Sequence, residues 1–124
     1  MYLVGRIHTD EDRTEGRNFA DGIYSTLKSS GDNGLILSSA TGEKEKLKGL
    51  LSRISMRMGS LIAYQIGDVE TKRVERNGFI IVSYVVKVRV KYEKGDSDEV
   101  LGLVKRGGDK ILVDGYNVYS DLLL

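Results

Sequence analysis

From Phe79 to Glu93 hydrophobic and polar residues alternate. Val82, Tyr84, Val86, Val88, Val90 and Tyr92 fall on one face, and Ser83, Val85, Lys87, Arg89 and Lys91 on the other. A period of two belongs to a β-strand, and this division predicts one buried face and one largely wet face. Asn77-Gly78 stands just before it. Both residues tolerate the positive φ of a two-residue hairpin turn, so Leu61–Arg76, rich in Val, Ile, Tyr and Thr, is the predicted antiparallel partner. Lys94–Asp98 reads as a loop, Glu99–Arg106 as a third strand, Gly107-Gly-Asp109 as a tight turn, and Lys110–Ser120 as a fourth strand with a bulge near Gly115.

The first half of the chain follows a helical period. Phe19, Ile23 and Leu27 recur at intervals of four with Tyr24 beside them, which predicts a helix over 9–30 capped at Thr9 or Asp10. Gly16 weakens its first turns, so order is expected from about Glu15. Leu47, Leu50, Leu51, Ile54 and Met58 mark a second helix over 42–58, opened by the capping pattern Thr41-Gly-Glu-Lys-Glu and stopped at Gly59. The apolar Leu35-Ile36-Leu37 suggests a short helical turn over 32–40. Helices first and an antiparallel meander after them define an α+β domain. Strands this long must twist, so the four-stranded sheet is expected to curl around the helices and leave a cone-shaped space.

Composition narrows the chemistry. The chain has 124 residues, no Cys, no Pro and one His. One domain over 1–124 is expected, with 1–10 as a flexible N-terminal segment. Disulfides, thiol catalysis and thiolate metal sites are excluded, and no metal site or cofactor is expected. A net charge of +1 gives no electrostatic case for nucleic acid. No apolar run approaches the length of a membrane span. Met1–Gly5 is too short for a signal peptide, which leaves a cytoplasmic protein or an exported one whose signal has been trimmed.

Candidate chemistry rests on few residues. His8 reads as a solvated residue before the first helix. Asp68 and Glu70 lie on the first strand, and Asp114 interrupts an apolar run on the last. Buried, Asp114 would act as an acid with a raised pKa; at a bulge it would face outward. Tyr64, Tyr84, Tyr92, Tyr116 and Tyr119 all fall on strands, where they either line a pocket or pack as core. Lys72, Arg73, Arg76, Lys87, Arg89 and Lys91 suggest a basic strip, which Glu70, Glu75, Glu93 and Glu99 would neutralise. Gly107-Gly108 lacks the helix and the Lys-Ser/Thr of a phosphate loop. Leu122–Leu124 is an apolar end of the kind that favours association.

Three segments resemble the nuclear-transport-factor-2-like and cystatin-like superfamily, and more narrowly its small bacterial members of unknown function. Phe19–Asp32 resembles the first helix with its small-Gly-Asp end. Leu50–Tyr64, with Met58-Gly-Ser-Leu, resembles the helix that passes through Gly into the first long strand. Lys110-Ile-Leu-Val-Asp-Gly-Tyr-Asn-Val118 resembles the last strand, with Ile111 where a Trp often stands. The likeness spans about residues 15–120 and rests mainly on the order of elements. It implies a cone formed by helices on a curled sheet. It also implies either an isomerase or dehydratase working in the cone, or a catalytically silent domain that binds ligands or proteins or dimerises through the open sheet face. Without an acid–base–nucleophile set, the expectation is a non-enzymatic binding or interaction domain and a homodimer. A small apolar ligand would be held in the cone by Tyr64, Tyr84, Tyr116 and Asp114. The alternatives are an enzyme using Asp114, Asp68 or Glu70 with a Tyr, and an accessory domain of an exported or lipid-anchored protein.

Overall fold

A computed structural model describes residues 2–30, 39, 42 and 44–123, with 2–9 and 30 as backbone only. Helix α1 spans Tyr2–Ser30 and helix α2 Lys44–Met58, followed by strands β1 (Leu61–Arg76), β2 (Phe79–Tyr92), β3 (Gly95–Arg106) and β4 (Leu112–Tyr119). A short 3-10 turn, Asp121–Leu123, closes the described chain. The four strands form one antiparallel meander in the order β1-β2-β3-β4. The helices lie on one face of this curled sheet in a cone-like α+β arrangement. The turn predicted over 32–40 and the cap at Thr41 lie outside the described residues. Ser39 is described: it is buried and makes a parallel bridge to Val113.

The alternating pattern governs the sheet. Val82, Tyr84, Val86, Val88, Val90 and Tyr92 are all buried, as are Leu101, Leu103, Val113 and Tyr116 beside them. Each such aliphatic side chain contributes about 1.5–3 kcal/mol on leaving water. Ala20, Ile23 and Tyr24 from α1 and Leu47, Leu51, Ile54 and Met58 from α2 complete the core. At the hairpin Asn77 has φ 54° and Gly78 φ 81°, as a two-residue turn with both central φ positive requires. Gly59, with φ 81°, ends α2.

Helix α2 starts at Lys44, two residues later than expected, and three further boundaries differ from the sequence expectation. Helix α1 begins at Tyr2 and runs unbroken through Gly16, because Gly16 is a packing residue. A Cβ there would lie 2.8 Å from Cδ2 of Tyr84 and 3.4 Å from Cγ1 of Val69. The helix gives up about 1 kcal/mol of propensity so that α1 can press on the tyrosine ring. Gly16→Ala is therefore expected to lose about 1–2 kcal/mol net despite its better propensity, and urea denaturation reads this directly. A gain in stability would mean that the contact is slack. The second difference is β3, which starts at Gly95, so 95–98 is strand and not loop. Only Glu93-Lys94 turns the chain, and Ser97 and Glu99 face inward. The third is β4, which begins at Leu112.

The sheet edges carry three register shifts, one at Ile62 between Leu61 and Ala63 and two that bear on the candidate residues. In β1, Ile66 pairs with Val88 but Val69 with Val86, which places Gly67 and Asp68 opposite Lys87. The guanidinium of Arg17 donates to the carbonyls of Ile66 at 3.2 Å and Gly67 at 2.8 Å. In β4, Gly115 pairs with Gly102 and Val113 with Leu103, so Asp114 is the extra residue.

Candidate functional site

Glu99 is 1% exposed, at the centre of the core. Its Oε1 accepts from the hydroxyls of Tyr24 at 2.7 Å and Tyr116 at 2.6 Å, and its Oε2 from Tyr92 at 2.6 Å and Ser97 at 2.8 Å. An ionised carboxylate is acceptor-only and offers about four lone-pair positions, so the four hydroxyls match it one for one. Among the described residues no cation forms an ion pair with Glu99. The hydroxyl dipoles carry the burden that a counter-ion would otherwise bear. Burial, then the charge of Glu99, pushes the tyrosine hydroxyls of Tyr24, Tyr92 and Tyr116 well above their ordinary value. All three stay protonated and donating across the ordinary pH range. The residues come from α1, β2, β3 and β4, so one carboxylate fastens four elements. Every donor and lone pair is in use, which leaves no open position for a substrate.

A second polar row lies nearer the start of α1. Asp12, buried, holds Arg73 through two hydrogen bonds of 2.7 and 2.9 Å. Glu15 accepts from the hydroxyl of Tyr84 at 2.5 Å and from Nζ of Lys105 at 3.1 Å. Burial, then the bond to Glu15, raises the pKa of Tyr84. Because Arg73 is drawn to Asp12 on the helical face, it does not join a basic strip with Lys72 and Arg76.

The residues singled out from sequence do not converge on one point. Tyr84 and Tyr116 belong to the two separate polar clusters. Tyr64 is half-buried; its hydroxyl donates to Oδ1 of Asp21 at 2.7 Å, and its ring lies 5.5 Å from that of Tyr24. The bond to Asp21 raises its pKa. Asp114 is exposed at its bulge, and Asp68 and Glu70 are exposed on β1. Sequence reasoning passed over Glu99 as a neutralising surface charge.

The interior is occupied by Tyr24, Tyr84, Tyr116, Met58 and Leu101. A surface groove of about 550 Å³ runs between α1, α2 and the start of β1, with Leu27, Leu51, Ile54 and Leu61 on its walls and Tyr92 among its lining residues. No family model, curated protein or solved structure matches this chain. None of the described helices is long and apolar enough to cross a membrane.

Among the described residues no helix covers the outer face of the sheet. Phe79 is 62% exposed and Val74 and Val85 each 38%, while Ile81, Val100, Val104 and Leu112 are half-buried. These apolar residues gather toward the hairpin end. At the other end Lys87, Arg89 and Lys91 stand on β2, and Asp96 and Asp98 on β3. The register sets Arg89 beside Asp98 and Lys91 beside Asp96. Arg89 and Asp98 are 3.7 Å apart and largely exposed, a pairing of little worth within one chain.

Proposed function

We propose that the protein is a non-enzymatic interaction domain that forms a homodimer through the outer face of its sheet, as the resemblance to nuclear-transport-factor-2-like proteins implies. The observation that carries this reading is the uncovered apolar area of Val74, Phe79, Val85 and Val104 across three strands. Apolar surface gathered in this way favours association. The face also carries cations and anions in adjacent rows, which makes it electrostatically complementary to a copy of itself. Among the described residues, the packing of Tyr24, Tyr84, Tyr116, Met58 and Leu101 in the interior supports this half of the expectation over a ligand held in the cone. Of the tyrosines that would hold such a ligand, Tyr116 is committed to Glu99, Tyr84 to Glu15 and Tyr64 to Asp21. Asp114, Asp68 and Glu70 are exposed and stand apart from those tyrosines, which favours the silent reading over an acid–base enzyme.

Light scattering coupled to size exclusion tests the proposal. At roughly 10–100 µM the chain is expected to elute as a dimer. Val85→Lys, at an exposed position, is expected to weaken the dimer about tenfold or more while leaving the fold intact. A wild-type chain that remains a monomer throughout that range defeats the reading.

A further inference from the structure

We infer that the two copies stack about a two-fold axis that runs parallel to the strands between β2 and β3, an inference that rests on the dimer proposed above. Two stacked sheets related by a two-fold axis have two simple choices. With the axis across the strands, β2 lies antiparallel over the partner's β2. The row Lys87, Arg89 and Lys91 then meets the same row or stands over Val85 and Ser83, so like charges approach and no acid answers them. With the axis along the strands, β2 of one copy lies over β3 of the other at the same level.

The observed register then fixes every opposition. Arg89 pairs with Asp98 and Lys91 with Asp96 within the sheet, so Arg89 falls over the partner's Asp98 and Lys91 over the partner's Asp96. Val85 pairs with Gly102, so it falls over the partner's Gly102, beside the Asp114 carboxylate that overhangs that glycine. Ser83 likewise falls over the partner's Val104. The curl of the sheet around its helices leaves the outer face convex, so contact concentrates on the central strands, the two that this axis brings together. Stacked sheets keep their strand directions within about 30° of each other, so these pairings hold best close to the axis. Opposite charges across the interface supply the register that an apolar patch alone cannot.

Mixing two charge-reversed chains provides the test. In an Arg89→Asp dimer, the introduced carboxylate faces the partner's Asp98 at both symmetry-related contacts. In an Asp98→Arg dimer, two guanidinium groups meet at both. Each variant alone is expected to dimerise about tenfold more weakly than wild type. Equal mixing is expected to restore a heterodimer, because both interchain contacts regain pairs of opposite or relieved charge: one joins the two introduced groups and the other the two original ones. The unfavourable pair inside each chain remains, so recovery has to arise between chains. Both side chains are about 70% exposed, so the fold is expected to tolerate the changes, and circular dichroism of each variant confirms it. Sedimentation equilibrium of the two variants, singly and mixed, reads the outcome. A wild-type dimer with unweakened variants, or with a mixture no tighter than its components, overturns this axis while the dimer stands. A monomeric wild type overturns the dimer itself.

Discussion

Glu99→Ala is expected to remove about 4 kcal/mol of folding stability, more than most single substitutions cost. The loss has two sources. The hydroxyls of Tyr24, Tyr92 and Tyr116 would lose their acceptor in the core, and each such group left unsatisfied costs about 1–3 kcal/mol. The vacated side-chain volume adds a cavity. Glu99→Gln should cost less, about 1–2 kcal/mol. Its carbonyl keeps two of the four bonds, its amide faces hydroxyls that can turn round to accept, and a desolvated charge disappears. Combining Glu99→Leu with Tyr24→Phe, Tyr92→Phe and Tyr116→Phe should recover much of the loss, since replacing a whole buried polar cluster by apolar groups is often nearly neutral. Urea denaturation of the series measures each value. An alanine variant within about 1 kcal/mol of wild type would show that water reaches the cluster and that the carboxylate is not the fastening described.

The second large effect is alkaline unfolding. Tyr24, Tyr92 and Tyr116 have their pKa values raised in the folded state, first by burial and then by Glu99. In the unfolded chain they ionise near their ordinary value, about 10. A group with a raised folded pKa contributes its full stability below the unfolded pKa and loses it as pH climbs toward the folded one. Above pH 10 the unfolded state therefore binds fewer protons than the native state, and stability falls. Each tyrosine removes about 1.4 kcal/mol per pH unit, so the three together remove about 4. A domain of ordinary stability, about 5–15 kcal/mol, should unfold within a few units of pH 10. Phenolate absorbance and far-ultraviolet circular dichroism should change together. Tyr92→Phe should lower the pH slope by about 1.4 kcal/mol per unit. If those phenols ionise while the secondary structure is intact, the account of their burial fails.

What the chain discloses in advance is set by how local the cause is. The alternation of β2 and the Asn77-Gly78 turn act over a few residues, and both stand in the structure as read. Helix α2 likewise matches its apolar stripe. Gly16 misled because propensity is a local property, whereas its reason for being there is Tyr84, on another element. Glu99 was hidden by its charge. Its parity was available all the same: it alternates in step with Leu101 and Leu103, which places it on the inner face once β3 is extended back to Gly95. Asp114 shows the opposite case. Its apolar neighbours left burial open, and the bulge expected near Gly115 turns it outward, as the other reading of the sequence had it. Arg73 was grouped with its basic neighbours, although its position across from Val82 on β2 sets it on the helical face.

The partners of Glu99 also bear on the order of assembly. The β1–β2 hairpin closes over two residues, and its contacts are local, so little chain entropy opposes its early formation. The bond from Tyr24 to Glu99 spans 75 positions and needs α1 docked on a finished sheet. Until that happens, water must serve as the carboxylate's missing donor, and the half-built sheet gains nothing by sealing itself around a charge. Desolvation of Glu99 thus becomes a late checkpoint: the interior dries only when the first helix has arrived to replace the water.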